Sequence, residues 1–275
     1  MKSDYTPYND LNILFEKHVK LLKESLGLNL IGYYLQGSLA IGDFDLTSDV
    51  DFIIVIKEQL GAKELTDISK IHNKIYEMNT RFAKRLEYSF ITLEILKNKY
   101  SPFNRLSVNK DNPKLWYFDN GSKTIELNDH CNTLVTRWTL YNNGITVYGP
   151  PPSSIVPKIS SKELRNEIKN TMLGWGRLIL ANPEETNNRF YQSYLVLNFS
   201  RMLHNLYIGK VDSKLNGINW AKANLDSKWI DLINYCWKQR QDTGISVKQP
   251  ADQLRYRQTL EFLDYVIDKA KGFKL

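Results

Sequence analysis

The chain has 275 residues, 42% of them hydrophobic, and its 37 basic and 30 acidic side chains leave a formal net charge of +7. A chain of this length buries roughly 70–75% of its unfolded surface, so it needs no disulfide or structural metal to hold a core, and it can form one large domain or two small ones. Cys131 and Cys236 are the two cysteines, and neither lies in CxxC or Cys/His spacing, which argues against a disulfide scaffold and a zinc site. No run of about 18 apolar residues occurs, so no membrane span is expected. The N-terminal stretch lacks the apolar core of a signal peptide, and a reducing cytoplasm is the expected compartment. Lys and Arg are dispersed along the chain, so small anions such as nucleotides account for the positive balance as well as a nucleic acid would.

In chain order, Leu11 to Leu26 carries apolar side chains at helical spacing. Leu28 to Leu35 reads as a strand and Gly37 to Ser48 as a turn-rich stretch. Val50 to Ile56 (VDFIIVI) is dense in β-branched residues and reads as a buried strand. Glu64 to Phe82 returns to helical spacing, and Leu86 to Ile95 alternates as a third strand. This succession implies a small mixed α/β layer. After the Pro-rich stretch 149–157 the period is helical throughout: Lys162 to Ala181, Arg189 to Ile208, Lys228 to Gln239 and Ala251 to Ala270, a helical bundle.

The segment Gly37-Ser-Leu-Ala-Ile-Gly-Asp-Phe-Asp-Leu-Thr-Ser-Asp-Val-Asp51 carries the chemistry. Two carboxylates at i and i+2 of a strand share a face, so Asp49 and Asp51 can converge on one cation. Such a pair suits Mg²⁺, which takes hard oxygen ligands and keeps water or phosphate oxygens in its other positions. Gly37 lets backbone approach a phosphate, and Ser38 supplies a hydroxyl and an N–H beside it. An isolated DxD is common and Gly37-Ser38 alone is an ordinary turn; the full string GSxxxGxxxxxSDxD, which also brings in Ser48, is specific. Glu87, at the start of the third strand, can stand beside the two aspartates and accept a proton from an attacking hydroxyl. Glu94 has the opposite parity, and Asp43 and Asp45 read as loop acids or caps.

GSLAIGDFDLTSDVDFIIV resembles the signature of the polymerase-beta-like nucleotidyltransferase superfamily. Segments His130 to Trp138, Gly144 to Pro150, Phe190 to His204 and Gly209 to Ala221 are similar to the aminoglycoside adenylyltransferases that modify streptomycin and spectinomycin, so the resemblance spans nearly the whole chain. It implies a mixed α+β nucleotidyltransferase domain with a small mixed sheet over residues 1–152, and an all-α helical bundle domain over 153–275. It further implies that Ser38 contacts ATP phosphate, that Asp49 and Asp51 ligate magnesium, two ions in all, and that Glu87 is the catalytic base. Arg201 and Lys214 match the family's ATP-phosphate contacts. Gly37, Ser48 and Lys210 complete the nucleotide-binding candidates, with a solvated helix end as the competing reading for Lys210.

The expected reaction is transfer of AMP from Mg-ATP to a hydroxyl of a small-molecule acceptor, an aminocyclitol such as spectinomycin or streptomycin, in a cleft between the domains. Thr186 to Gln192 carries no carboxylate where the drug-modifying members carry an acidic segment. This favours the same transfer to another metabolite or to a protein, and a catalytically silent nucleotide-binding regulator is a separate alternative. No nucleic-acid or membrane partner is expected, and the chain is expected to be a monomer or weak oligomer. His130 and His204 read as core or interdomain residues on helical stripes, and Trp138, Trp175, Trp220, Trp229 and Trp237 as packing anchors.

Overall fold

A computed structural model describes residues 4–99, 113–242 and 246–275. The described residues divide into two compact units, the first reaching Ile159 and the second beginning at Ser160. The Pro-rich stretch thus belongs to the first unit.

In that unit, helix α1 (Asn9–Leu26) ends where Gly27 turns the chain with a φ of +52°. It leads into β1 (Leu30–Leu35), the short helix α2 (Gly37–Ile41) and β2 (Val50–Ile56). Helix α3 (Ala62–Tyr76) carries the chain to β3 (Leu86–Thr92) and the single turn α4 (Leu93–Lys97). Strands β4 (Leu115–Phe118) and β5 (Ile125–Asn128), helix α5 (Leu134–Asn143), β6 (Ile145–Tyr148) and α6 (Pro152–Ile155) complete it. The six strands form one mixed sheet in the order β5-β4-β3-β2-β1-β6, in which β2 and β3 run parallel and the other neighbours antiparallel.

Alternation along the strands sorts side chains to two faces. One face packs under α1 and α3 through Leu11, Leu14, Phe15, Phe52, Ile54 and Tyr88, all fully buried. Across that face Tyr33, Phe52, Tyr88 and Phe118 stack ring on ring at centroid spacings of 4.6, 4.4 and 4.9 Å. Aromatic cross-strand contacts of this kind add to area burial and fix the register of four strands. The other face buries Tyr34, Ile53, Val55, Ile91, Tyr117, Cys131 and Leu140. On that side Arg137 is fully buried and donates to the carbonyls of Ile95 at 2.8 Å and Leu96 at 3.1 Å and to Asn132 Oδ1 at 2.8 Å.

Several boundaries differ from the sequence reading. The third strand stops at Thr92, whose hydroxyl accepts from Ile95 N at 3.2 Å and caps α4, so Glu94 is an exposed helical residue. The helix expected to reach Phe82 ends at Tyr76, and Phe82 is buried from a turn instead. Strands β4, β5 and β6, each four residues long, lie beyond the three that were expected.

The second unit is helical. Its helices are α7 (Ser161–Ala181), α8 (Arg189–Ile208), α9 (Lys214–Asn224), α10 (Ile230–Arg240) and α11 (Gln253–Gly272). Ser160 and Glu163 form a reciprocal capping box at the start of α7, with bonds of 3.2 and 2.8 Å. Gly209, with φ +68°, closes α8. The sequence reading finds four helices here; α9 is the fifth, and two of its three buried residues are Gly217 and Ala221, which leave almost no apolar stripe to read. A Cβ on Gly217 would stand 2.6 Å from the Arg201 Cα, so the glycine is what lets α9 lie against α8. Trp175 stacks on Phe199 at 5.2 Å and Trp229 is buried, both in packing roles.

Candidate active site

The β1–α2 turn and the head of β2 are built against each other. Gln36 N donates to the Asp51 carbonyl at 3.0 Å. Gly37 follows with a φ of +57°, and a Cβ there would lie 2.1 Å from Asp51 Oδ2. No other residue type fits between this turn and this carboxylate. Ser38, in the first turn of α2, is half-buried beside it. Between α2 and β2, Asp45 organises the loop: its carboxylate accepts from Thr47 N at 2.8 Å and from the Ser48 hydroxyl at 3.1 Å. Ser48 is buried in that turn, and Asp45 is a half-buried loop acid. Arg85 braces the same loop by donating to the Leu46 carbonyl.

Parallel pairing of β2 with β3 sets Asp51 directly opposite Glu87, so the two share a sheet face with Ile53, Val55 and Tyr117. Asp49 lies one residue ahead of the strand, half-buried, and accepts from the Asn120 side-chain amide. Glu87 has a side chain only 15% exposed, and its Oε1 lies 3.5 Å from His130 Nε2. Burial, reinforced by the charges of Asp49 and Asp119, holds the Glu87 carboxyl above the usual carboxylate range, while His130 and a hydrogen bond from Tyr117 act in the opposite sense. The single Tyr117 hydroxyl proton is shared with Asp119, whose Oδ1 accepts at 2.9 Å. Asp49 and Asp51, as carboxylates, offer the hard oxygen ligands that Mg²⁺ takes.

His130 departs from the sequence reading. Helix α5 starts at Leu134, capped by Thr133, whose hydroxyl accepts from Thr136 N at 2.9 Å. His130 therefore sits in the preceding turn, exposed, rather than on a buried helical stripe. Tyr117 and Cys131 also border the site without having been singled out for it. Their strand and turns follow the motif by some seventy residues, and only the antiparallel pairing of β4 with β3 brings Tyr117 there.

In the second unit, Arg201 on α8 donates to Asn198 Oδ1 at 2.9 Å. Lys214, the first residue of α9, holds its Nζ 5.8 Å from the Tyr194 ring centroid. Lys210 is exposed in the turn between these helices. His204 is buried on α8, stacked on Trp220 at 5.5 Å, and burial lowers its imidazole below the ordinary range. Glu184 and Glu185 stand exposed just before Thr186 to Gln192.

The family model described as a nucleotidyltransferase domain matches residues 15–108, and that described as the aminoglycoside adenylyltransferase C-terminal domain matches residues 154–269. A spectinomycin 9-adenylyltransferase from Staphylococcus aureus is 26% identical over 228 residues, covering 80% of this chain and 81% of the relative. One from Campylobacter jejuni is 22% identical over 209 residues, covering 74% and 75%. A spectinomycin adenyltransferase from Enterococcus faecialis, solved with ATP and spectinomycin, superposes with a TM-score of 0.64 at 18% identity, over 94% of this chain and 99% of that one.

Proposed function

The chain belongs to the nucleotidyltransferases that end in an aminoglycoside adenylyltransferase C-terminal domain, and on that premise we propose that it transfers AMP from Mg-ATP to a hydroxyl of spectinomycin or a closely related aminocyclitol. The observation that carries the mechanism is the parallel register that sets Asp51 against Glu87, with Asp49 at the strand entrance. Asp49 and Asp51 would hold magnesium, which would supply charge neutralisation at the reacting phosphate. Glu87, raised by its buried surroundings, accepts the proton of the acceptor hydroxyl as that oxygen bonds to the α-phosphorus. The bond from the α-phosphorus to the bridging oxygen breaks, and pyrophosphate leaves. Gly37 and Ser38 offer backbone and hydroxyl to a phosphate beside Asp51, while Arg201 and Lys214, and more weakly Lys210, supply positive charge to the triphosphate. Ser48 serves through the Asp45 turn that presents Asp49.

Similarity to spectinomycin 9-adenylyltransferases over four-fifths of both chains supports the acceptor class. Incubation with Mg-ATP and spectinomycin, followed by mass spectrometry, is expected to show the drug gaining one AMP. An unmodified drug, with ATP bound, would transfer the proposal to another hydroxyl acceptor, the reading that the carboxylate-free stretch Thr186 to Gln192 favours.

A further inference from the structure

We propose that Glu87, His130 and Cys131 form a second metal site, selective for a thiophilic ion of the Zn²⁺ class, which silences the enzyme by occupying the catalytic carboxylate. The inhibitory half of this proposal rests on Glu87 being the base; the binding half does not.

The three residues offer one carboxylate oxygen, one imidazole nitrogen and one sulfur, and all these atoms lie within 4.8 Å of one another. Ligands held at about 2.0–2.3 Å around a tetrahedral Zn²⁺ stand roughly 3.3–3.8 Å apart. His130 Nε2 and Glu87 Oε1 are already 3.5 Å apart, so only a small side-chain adjustment closes the set. Its composition separates it from the neighbouring aspartates. Oxygen-only ligands favour Mg²⁺, whereas a mixed sulfur, nitrogen and oxygen set favours Zn²⁺.

Burial is graded along the cluster. Cys131 is 6% exposed, the Glu87 side chain 15% and the His130 side chain 59%. The imidazole thus meets an arriving ion from solvent and the sulfur shields it from below. Ser89, 1% exposed, has a hydroxyl without a hydrogen-bond partner among the described residues. Its hydroxyl and the Gln36 side chain lie within hydrogen-bonding reach of the Cys131 sulfur. Such outer donors are what a metal-bound thiolate requires. On binding, the Cys131 S–H bond breaks, its proton passes to solvent, and the sulfur lone pair forms the bond to the ion. Water fills the fourth position, and no electron is exchanged.

The test uses the full chain, titrated with Zn²⁺ against a chromophoric chelator and with Co²⁺ while thiolate-to-cobalt charge-transfer absorption is followed. Wild type is expected to bind one ion per chain with that absorption. Cys131→Ser, Cys131→Ala and His130→Asn should each weaken Zn²⁺ by about 10–100-fold or more, with folding checked by thermal melting, and Cys236→Ser should not. Unchanged Zn²⁺ affinity in folded Cys131→Ser or Cys131→Ala, or no thiolate absorption in wild type, overturns the site. Pyrophosphate release from Mg-ATP, compared with and without Zn²⁺ for each variant, reads the inhibition. If Zn²⁺ binds through Cys131 and turnover persists, the inhibitory role and the assignment of Glu87 as base fall while the metal site stands.

Discussion

At the scale of single residues, three carboxylates and one glycine carry the proposed chemistry. Glu87→Gln keeps the shape of the side chain and removes the proton acceptor, so turnover is expected to fall by about 10²–10⁴-fold while calorimetric ATP affinity stays near wild type. Loss of both together would make Glu87 a nucleotide ligand instead. Gly37→Ala and Gly42→Ala make a matched pair. Both glycines have positive φ, +57° and +76°, but a Cβ at Gly42 meets nothing within 4 Å whereas at Gly37 it meets the Asp51 carboxylate. Gly42→Ala should therefore cost only about 1–2 kcal/mol in the melting equilibrium and retain turnover. Gly37→Ala should abolish turnover, and an active Gly37→Ala enzyme would detach Asp51 from the turn. The motif residues were legible because they fall within fifteen positions of one another, from Gly37 to Asp51. The places of Tyr117, His130 and Cys131 at the site were not, because strand pairing and a turn deliver them from distant sequence.

Among elements, α1 and the central sheet share a buried titratable group. His18 is fully buried against Tyr33, with Nδ1 3.2 Å from the Tyr33 hydroxyl, and burial depresses its imidazole from 6.5 to about 3. The unfolded chain takes up this proton near pH 6.5 and the folded chain only near 3. Stability is thus fully present above pH 6.5 and is lost as pH falls toward 3, by up to about 1.4 kcal/mol per pH unit. In His18→Asn the fall of melting temperature with acidity should be shallower over that window, and an unchanged slope would place the acid sensitivity elsewhere.

The elements themselves were read with uneven success, for physical reasons. VDFIIVI gave β2 at its observed bounds because a strand buried on both faces leaves a continuous apolar run, and α8 likewise matched from Arg189 to Ile208. Strands β5 and β6 are four residues long and mostly half-exposed, so they lack such a run. Helix α9 escaped because it packs through Gly217 and Ala221 rather than through large side chains.

At the scale of the whole molecule, the proposed reaction draws on Arg201 and Lys214 for contacts to the triphosphate. Arg201→Ala and Lys214→Ala are each expected to raise the KM for ATP by about 10-fold or more, the effect of losing one charge-assisted phosphate contact. The rest of the α8–α9 packing should survive in thermal melts. Unchanged KM in both variants would confine nucleotide binding to the first unit. Lys210, exposed in the intervening turn, should give a smaller effect that fades with salt.

Adenylyl transfer at Asp51 is tested by steady-state pyrophosphate release from Mg-ATP, with and without spectinomycin, by wild type and by Asp51→Asn. Drug-dependent release is expected in wild type and none above background in a folded Asp51→Asn enzyme. Drug-dependent release that survives Asp51→Asn would remove Asp51 from the metal site and from the reaction.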